Sequence, residues 1–167
     1  DGENILLGKT IIDIDGANER EIISTGIDHP QISPDGTKII FTSNQLYIMD
    51  SDGSNKKKLT TTTSLWPKFS PDGTKIVFIN EQGEKVNNQT LYTVATIDID
   101  GNNLKELTEP KTSVQFPQFN PEGTKIYWMY YPGNNAVWRM DLDGSNIERV
   151  LPLNDYKEFD FQPRPED

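Results

Sequence analysis

Apolar residues occur along this chain in short consecutive runs, and three of these runs follow the same turn sequence. The runs are Ile39–Phe41, Ile76–Phe78 and Ile126–Trp128. A strand that is apolar at successive positions, rather than at alternate ones, is covered on both faces, as happens when sheets stack on either side of it. The pattern therefore predicts a buried strand inside each of several stacked sheets.

The turn before each apolar run consists of Ser or Asn, Pro, Asp or Glu, and Gly, at positions 33–36, 70–73 and 120–123. Pro at the second position and Gly at the fourth indicate a type I turn, and the Gly takes a positive φ where the chain enters the next strand. Each turn is thus predicted to join two antiparallel strands, which we name A and B.

A second motif, Asp-x-Asp-Gly followed by Asn two residues later, alternates with the first at 13–16, 50–53, 98–101 and 141–144. A short charged stretch follows each copy, and charge on a terminal strand protects a sheet edge from pairing with another chain. We therefore predict two further strands per unit, C before the Asp-x-Asp-Gly turn and the outermost D after it. The copies recur at intervals near the about 40–45 residues of a propeller blade.

The two motifs together resemble the WD40-like β-propeller repeat of TolB-type proteins. The resemblance rests on the hairpin Phe69–Phe78 and on the sequence Leu46–Asn55, and it covers nearly the whole chain in register. It implies a β-propeller that works through protein–protein contacts in the periplasm or outside the cell. Related repeats also occur in propellers attached to prolyl-oligopeptidase-like enzymes. Because such propellers host many functions, the resemblance does not specify an activity.

The chain is predicted to form one all-β domain over residues 1–167, a propeller of four-stranded antiparallel blades. The first unit lacks its strand A, and a lone strand A follows the last unit, so we expect the two to form one composite blade. That arrangement closes a four-bladed ring and removes two exposed edges. The alternatives are a piece of a larger propeller and half of a ring completed by a second copy, although a monomer is favoured. The units are predicted at about 3–25 with 155–163, 28–61, 65–109 and 115–151.

Composition narrows the classes of partner. The formal net charge is −10, and no basic patch interrupts it, which argues against nucleic acid and anionic membrane surfaces. No apolar run is long enough for membrane insertion, and no signal segment is recognisable at the start, so an exported protein would already have lost its signal. The chain has no Cys and gives no indication of its redox compartment. The lysines at 56–58 are interpreted as part of a charged edge strand.

In a propeller the D-to-A and B-to-C loops share one face, and here that face collects aromatic and amide side chains. Such residues are typical of protein and carbohydrate contact surfaces. A protein partner is expected, with a glycan as the alternative, although Trp66 and Phe116 could instead cap the core between blades. The insert at 81–89 extends the same face or forms a long solvated hairpin. The predicted partner-binding face consists of His29, Trp66, Phe116, Tyr130, Tyr131, Asn134 and Asn135.

Four polar residues occupy equivalent positions of strand A and alternate with apolar neighbours. By strand alternation they point away from the packed side, which places them in a central channel. The predicted channel residues are Gln31, Lys68, Gln118 and Asp160.

Catalytic chemistry is not expected. His29 is the only His and takes the place that Trp66 and Phe116 have in the other units, which indicates a positional role. No Gly-x-Ser-x-Gly is present, and one His without Cys disfavours zinc. The Asp-x-Asp-Gly motif lacks the remaining ligands of an EF-type calcium loop, so a turn is favoured. We expect no enzyme activity, no cofactor and no metal; the alternatives are the propeller portion of a larger hydrolase or lyase and a structural subunit of a surface assembly.

Overall fold

In the computed structural model, residues 4–7, 10–13, 20–21, 26–130 and 136–152 are described. In these residues all regular secondary structure is β-strand, and no helix occurs. The strands form one three-stranded and three four-stranded sheets, in which every pairing between strands is antiparallel. The prediction of an all-β chain built from antiparallel sheets is therefore confirmed.

Each sheet contains strands that follow one another in the sequence, and we call the sheets blades 1 to 4. Blade 1 consists of β1 (Asn4–Leu7), β2 (Thr10–Asp13) and β3 (Arg20–Glu21). Blade 2 consists of β4 (Asp28–Ile32), β5 (Lys38–Ser43), β6 (Gln45–Asp50) and β7 (Lys57–Lys58). Blade 3 consists of β8 (Ser64–Phe69), β9 (Lys75–Val86), β10 (Gln89–Asp98) and β11 (Lys105–Glu106). Blade 4 consists of β12 (Val114–Phe119), β13 (Lys125–Tyr130), β14 (Ala136–Asp141) and β15 (Glu148–Pro152).

Blades 2, 3 and 4 contain their strands in the order A, B, C and D. Blade 1 contains three strands in the described residues. The lone strand A predicted at 155–163 lies outside the described residues, so the composite blade and the closure of the ring stay predictions.

The B strands of blades 2, 3 and 4 are buried on both faces, and their side chains divide between separate apolar clusters on those faces. Ile40 of β5 packs with Ile76 and Phe78 between blades 2 and 3, whereas Ile39 and Phe41 pack with Met49 on the opposite face of blade 2. All three β5 side chains have 0% exposure. Alternate residues of one strand thus serve different cores, which explains why the sequence is apolar at consecutive positions.

The A-to-B turns have the predicted geometry. In the first of them the amide of Gly36 donates to the carbonyl of Ser33 at 2.9 Å, and Gly36 has a φ of 72°. The Asp35 carboxylate accepts from the Ser33 hydroxyl and from the amide of Thr37. The glycines at 73 and 123 repeat the positive φ. The short hairpins therefore close on their own backbone and side-chain hydrogen bonds.

The D strands of blades 2 and 3 are exposed and charged, as predicted for sheet edges. Their lysines also connect neighbouring blades, which the sequence interpretation did not foresee. Lys57 donates to the carbonyl of Asp100 at 2.5 Å, and Lys105 donates to the carbonyl of Asp143 at 2.9 Å. In both cases the D strand of one blade is tied to the C-to-D turn of the next.

Candidate partner-binding face

The three aromatic positions predicted for the partner-binding face share an unusual backbone. His29, Trp66 and Phe116 have φ values of 52°, 49° and 51°. Positive φ is costly for residues with bulky side chains, because the Cβ atom crowds the backbone. All three lie where the register between strands A and B shifts, so each strand A carries a β-bulge at the same place.

The sequence explains where the bulge forms. A proline follows each of the three residues, at positions 30, 67 and 117. Proline has no amide hydrogen to donate to the neighbouring strand, so it is tolerated in a sheet at bulges and edges. The pair of an aromatic residue and proline was visible as a repeat in the sequence, but the left-handed backbone of the aromatic residue was not predicted.

The bulges bring the three rings into a continuous row across blades 2, 3 and 4. The ring centroids of His29 and Trp66 are 5.7 Å apart at an interplanar angle of 64°, and those of Trp66 and Phe116 are 5.1 Å apart at 44°. These separations fall within the range of favourable aromatic pairs. We call His29, Trp66 and Phe116 the ring row.

The ring row is neither fully buried nor detached from the core. His29 is exposed, whereas Trp66 and Phe116 are half-buried. Trp66 packs against the core between blades 3 and 4, and Phe116 packs against a smaller cluster formed by Met129 and Val137. Both rings therefore cap apolar clusters and still offer surface to solvent.

The Nδ1 atom of His29 lies 3.5 Å from the hydroxyl oxygen of Thr42. That hydroxyl itself donates to the carbonyl of Asp28. Desolvation by the surrounding atoms lowers the pKa of His29 below its ordinary value. The negative charge of Asp28 acts in the opposite direction, and the positive charge of Lys68 lowers the pKa further. The surroundings of His29 thus favour the neutral form of its imidazole.

Other members of the predicted face are placed differently. Tyr130, at the end of β13, is half-buried and packs against the core between blades 3 and 4. The insert at 81–89 is a hairpin in which β9 and β10 are extended and turn at Asn87 and Asn88, which have φ values of 50° and 64°. This agrees with the interpretation of the insert as a long solvated hairpin. Tyr131, Asn134 and Asn135 lie outside the described residues.

Three of the predicted channel residues surround one cavity of about 410 Å³, which is also lined by the Ser-Pro and Asn-Pro turns of blades 2, 3 and 4. Lys68 donates to the side-chain carbonyl of Gln31 at 3.2 Å, and Gln118 is 8% exposed. Asp160 lies outside the described residues. Of the described residues that line the cavity, Lys68 carries a positive charge, and Gln31 and Gln118 contribute amide groups.

The Asp-x-Asp-Gly motifs form turns whose carboxylates already have partners. Asp52 accepts from the amide of Ser54 at 2.8 Å, and Asp50 accepts from Lys38 and from the side-chain amide of Asn55. Hydrogen bonds from Lys38 and then Asn55 hold the pKa of Asp50 below its ordinary value. Asp50 is therefore already paired with Lys38, and the motif forms a turn in which the amide of Gly53 donates to the carbonyl of Asp50.

The carboxylates of the Asp-x-Asp-Gly turns in blades 3 and 4 have equivalent partners. The described residues contain no group of three or more His, Asp or Glu side chains arranged to hold a metal ion. Over the same part of the chain, no helix is of a kind that could cross a lipid bilayer.

Known structures share this fold. A TolB from Agrobacterium tumefaciens has 23% identity and a TM-score of 0.71, with 91% of this chain and 60% of that chain covered. TolB from Acinetobacter baumannii has 21% identity and a TM-score of 0.68, with coverages of 86% and 37%. Oligogalacturonate lyase from Vibrio parahaemolyticus has 14% identity and a TM-score of 0.69, with coverages of 83% and 44%. The chain therefore spans less than two thirds of the length of each of these proteins.

No curated protein sequence matches the chain significantly. The family model for the TolB beta propeller domain matches residues 8–154, which is most of the chain. The family resemblance inferred from the repeated motifs is thereby confirmed. The chain belongs to the TolB beta propeller domain family.

Proposed function

We propose that this chain is a non-catalytic propeller scaffold that binds a protein partner through the ring row and the loops beside it. The observation that carries the proposal is the contact of His29, Trp66 and Phe116 in a single row across three blades, each ring held by the same left-handed bulge. Backbone strain of this kind persists where the surrounding structure enforces it, and it is concentrated at functional sites.

The exposure of the row supports a contact surface. Trp66 and Phe116 are half-buried and His29 is exposed, so part of each ring is available for contact with a partner. Aromatic side chains that combine a fixed position with exposed area are the usual anchors of protein interfaces. The bulges fix the rings before a partner arrives, so little side-chain entropy is lost on binding.

The surroundings of the row favour a partner with polar groups near its apolar anchor. Asp28 precedes His29, and Lys68 follows Trp66 by two residues, so charges of both signs lie beside the rings. The rim of a protein interface has this mixed polar character. We include in the proposal a location in the periplasm or outside the cell, as the family resemblance implies.

The proposed scaffold is a closed monomer of four blades, with blade 1 completed by the strand predicted at 155–163. Light scattering tests this part separately, because a self-closed ring gives the mass of one chain at low concentration. A stable dimer at the same concentration would favour a ring completed by a second copy.

The binding proposal is tested by affinity capture from a native envelope fraction, followed by titration of each captured protein, once purified, against wild type and variants. Trp66→Ala and Phe116→Ala are each expected to weaken binding by about 2 kcal/mol or more, as at an interface hot spot. Leu142→Ala is the matched control, because Leu142 is an exposed apolar residue in a C-to-D turn, at the opposite end of its blade. Equal affinity for wild type and both ring-row variants would contradict the proposal.

A second candidate is the propeller portion of a larger hydrolase or lyase. The observation in its favour is that the similar folds include an oligogalacturonate lyase and a puromycin-hydrolyzing peptidase from Mycobacterium tuberculosis, of which the chain covers 44% and 31%. The complete coding sequence discriminates between the two candidates, because an adjoining catalytic domain would favour the enzyme.

A further inference from the structure

The cavity that contains Lys68 lies where the A strands of blades 2, 3 and 4 end, and we call it the Lys68 cavity. Its volume of about 410 Å³ is within the range of small-ligand sites. Prolines of the A-to-B turns and aromatic residues at the ends of the A strands form its apolar wall, at Pro34, Pro71, Pro121, Phe69 and Phe119. A mainly apolar cavity with a few polar groups is the usual form of a ligand site.

Lys68 is the charged residue in the described lining of this cavity. The equivalent positions of strand A in blades 2 and 4 have Gln31 and Gln118, which are neutral and line the same cavity. The repeated fold therefore does not need a lysine at this position. Blade 3 places a single positive charge among neutral groups.

Lys68 also differs from the other half-buried lysines. In the part of the chain that the structure describes, the lysines at 38, 68 and 125 are half-buried. Lys38 and Lys125 each form an ion pair with an aspartate of their own blade. The ammonium of Lys68 donates to the neutral side-chain oxygen of Gln31 at 3.2 Å, and no described carboxylate pairs with it. A partly desolvated charge is stabilised by a counter-charge, so an anionic group is what this position lacks.

We propose that the Lys68 cavity binds a small monocarboxylate with an apolar body. An ammonium group has three N–H donors, and Gln31 uses one of them, so two can donate to the carboxylate oxygens. Hydrogen bonds between two charged groups are stronger than those between neutral groups. The apolar body packs against the proline and phenylalanine side chains of the wall.

Other ligand chemistries match the cavity less well. A cation would face the charge of Lys68, because no acidic side chain belongs to the described lining. A neutral apolar molecule would fill the wall but would leave Lys68 without a counter-charge. An ion with two or more negative charges, such as phosphate, would need more than the one basic side chain that the described lining provides. A monocarboxylate matches both the single charge and the apolar wall.

The inference does not rest on the proposed function. The cavity shares no residue with the ring row, and its test uses a small carboxylate without any protein partner. Failure of carboxylate binding would leave the partner proposal intact, and failure to capture a partner would leave the carboxylate proposal intact.

The test is an NMR titration with sodium butyrate, compared with sodium chloride at equal ionic strength. Saturation transfer from the protein to butyrate reports binding. The imidazole of His29 reports the location, because the charge of Lys68, in addition to desolvation, lowers the pKa of His29. Butyrate is expected to bind in a saturable manner and to raise the pKa of His29, since its carboxylate offsets that charge. Acetate, which is two methylenes shorter, is expected to bind roughly fivefold to fifteenfold more weakly.

Lys68→Gln gives blade 3 the residue that blades 2 and 4 have at this position, so the variant is expected to fold. It is expected to lose saturable butyrate binding, and butyrate is then expected to change the pKa of His29 no more than chloride does. Lys85→Gln is the matched control, because Lys85 is an exposed lysine of the same blade that does not line the cavity. This control is expected to bind butyrate as wild type does.

A third variant tests whether the chain supplies the counter-charge itself. Asp160 is the predicted channel residue that carries a carboxylate, and it lies outside the described residues. Butyrate is expected to bind wild type and Asp160→Asn with equal affinity.

Four outcomes would overturn the proposal. The first is butyrate that shows no saturable binding to wild type. The second is equally tight binding of butyramide, which has the same apolar body without the charge. The third is unchanged butyrate affinity in a folded Lys68→Gln protein. The fourth is binding that occurs in Asp160→Asn alone, which would mean that Lys68 is neutralised within the chain.

Discussion

The ammonium nitrogen of Lys75 lies 2.5 Å from Oδ1 of Asp98, and this ion pair joins the two repeated motifs within blade 3. Lys75 begins strand B after the A-to-B turn, and Asp98 ends strand C before the C-to-D turn, so the two residues are register partners. The same pair recurs as Lys38 with Asp50 in blade 2 and as Lys125 with Asp141 in blade 4. Both turns of a blade are therefore fixed to each other at one end of its sheet.

This pairing predicts a dependence of stability on acid. A hydrogen bond from Lys75, and then one from Asn103, lower the pKa of Asp98 below its ordinary value of 3.8. A carboxyl whose pKa is lower in the folded state stabilises the fold above its unfolded pKa, and that stabilisation is lost as the pH falls through the folded pKa. The melting temperature is therefore expected to decrease as the pH is lowered below about 4.

Asp98→Asn is expected to lower the melting temperature at neutral pH. The further decrease of the melting temperature in acid is expected to be smaller than in wild type. Calorimetry from pH 7 to pH 2 measures both effects. Glu81→Gln, which changes a carboxylate outside the repeated turns, serves as the control. A profile for Asp98→Asn parallel to that of wild type would show that this pair does not contribute to the acid dependence.

Gly144→Ala is expected to be clearly destabilising. Gly144 has a φ of 85°, and a Cβ atom at this position would lie 3.0 Å from the carbonyl oxygen of Leu107 in the preceding blade. The strain of a left-handed residue alone costs roughly 1–2 kcal/mol. Gly83→Ala is the matched control, since Gly83 has a φ of 70° with nothing within 4 Å of the added atom.

Denaturant unfolding is expected to show a larger loss for Gly144→Ala than for Gly83→Ala, because only the first combines strain with a clash between blades. Equal losses would mean that the turn of blade 4 moves away from Leu107 without cost.

Lys56→Gln is expected to destabilise the protein by about 0.5–1 kcal/mol, the usual contribution of an exposed cation over aromatic rings. Lys56 lies over Phe41 and Tyr47, whose rings stack with centroids 5.4 Å apart. Lys58→Gln removes an equal charge from the same exposed edge without losing a described ring contact. Denaturant unfolding of both variants gives the difference between their free energies of unfolding. A Lys56→Gln protein as stable as Lys58→Gln, or more stable, would exclude a stabilising contribution of the ammonium group.

NMR titration of His29 is expected to give a pKa below the ordinary value of 6.5, because desolvation disfavours its charged form. The chain has one His, so its imidazole signal needs no assignment among others. Trp66→Leu exposes the imidazole of His29 further and is expected to raise the pKa of His29. Because the folded pKa is lowered, the contribution of His29 to stability is present above pH 6.5 and declines as the pH falls below it. A pKa at or above 6.5 in wild type would contradict the description of the ring row.

The sequence predicted those features that depend on local residue types. Pro and Gly at fixed positions predicted the A-to-B turns, and consecutive apolar residues such as Ile39 and Ile40 predicted strands buried on both faces. Both kinds of signal act within a few residues, so a single sequence is enough to recognise them. Their repetition in register identifies the blade as the repeating unit.

Other features depend on residues far apart in the sequence. The register that pairs Lys75 with Asp98, and the contact of Lys57 with the turn at Asp100, follow from the packing of strands and blades. The left-handed bulge at Trp66 had only an indirect signal, the proline that follows each aromatic residue.

The link from each D-strand lysine to a carbonyl of the following blade has a geometric consequence. Lys57 and Lys105 make it at equivalent positions, so the junction between blades 2 and 3 and the junction between blades 3 and 4 contain the same contact. Removal of either lysine would therefore loosen one junction between blades and leave intact the A-to-B turns, which close on hydrogen bonds within their own blade.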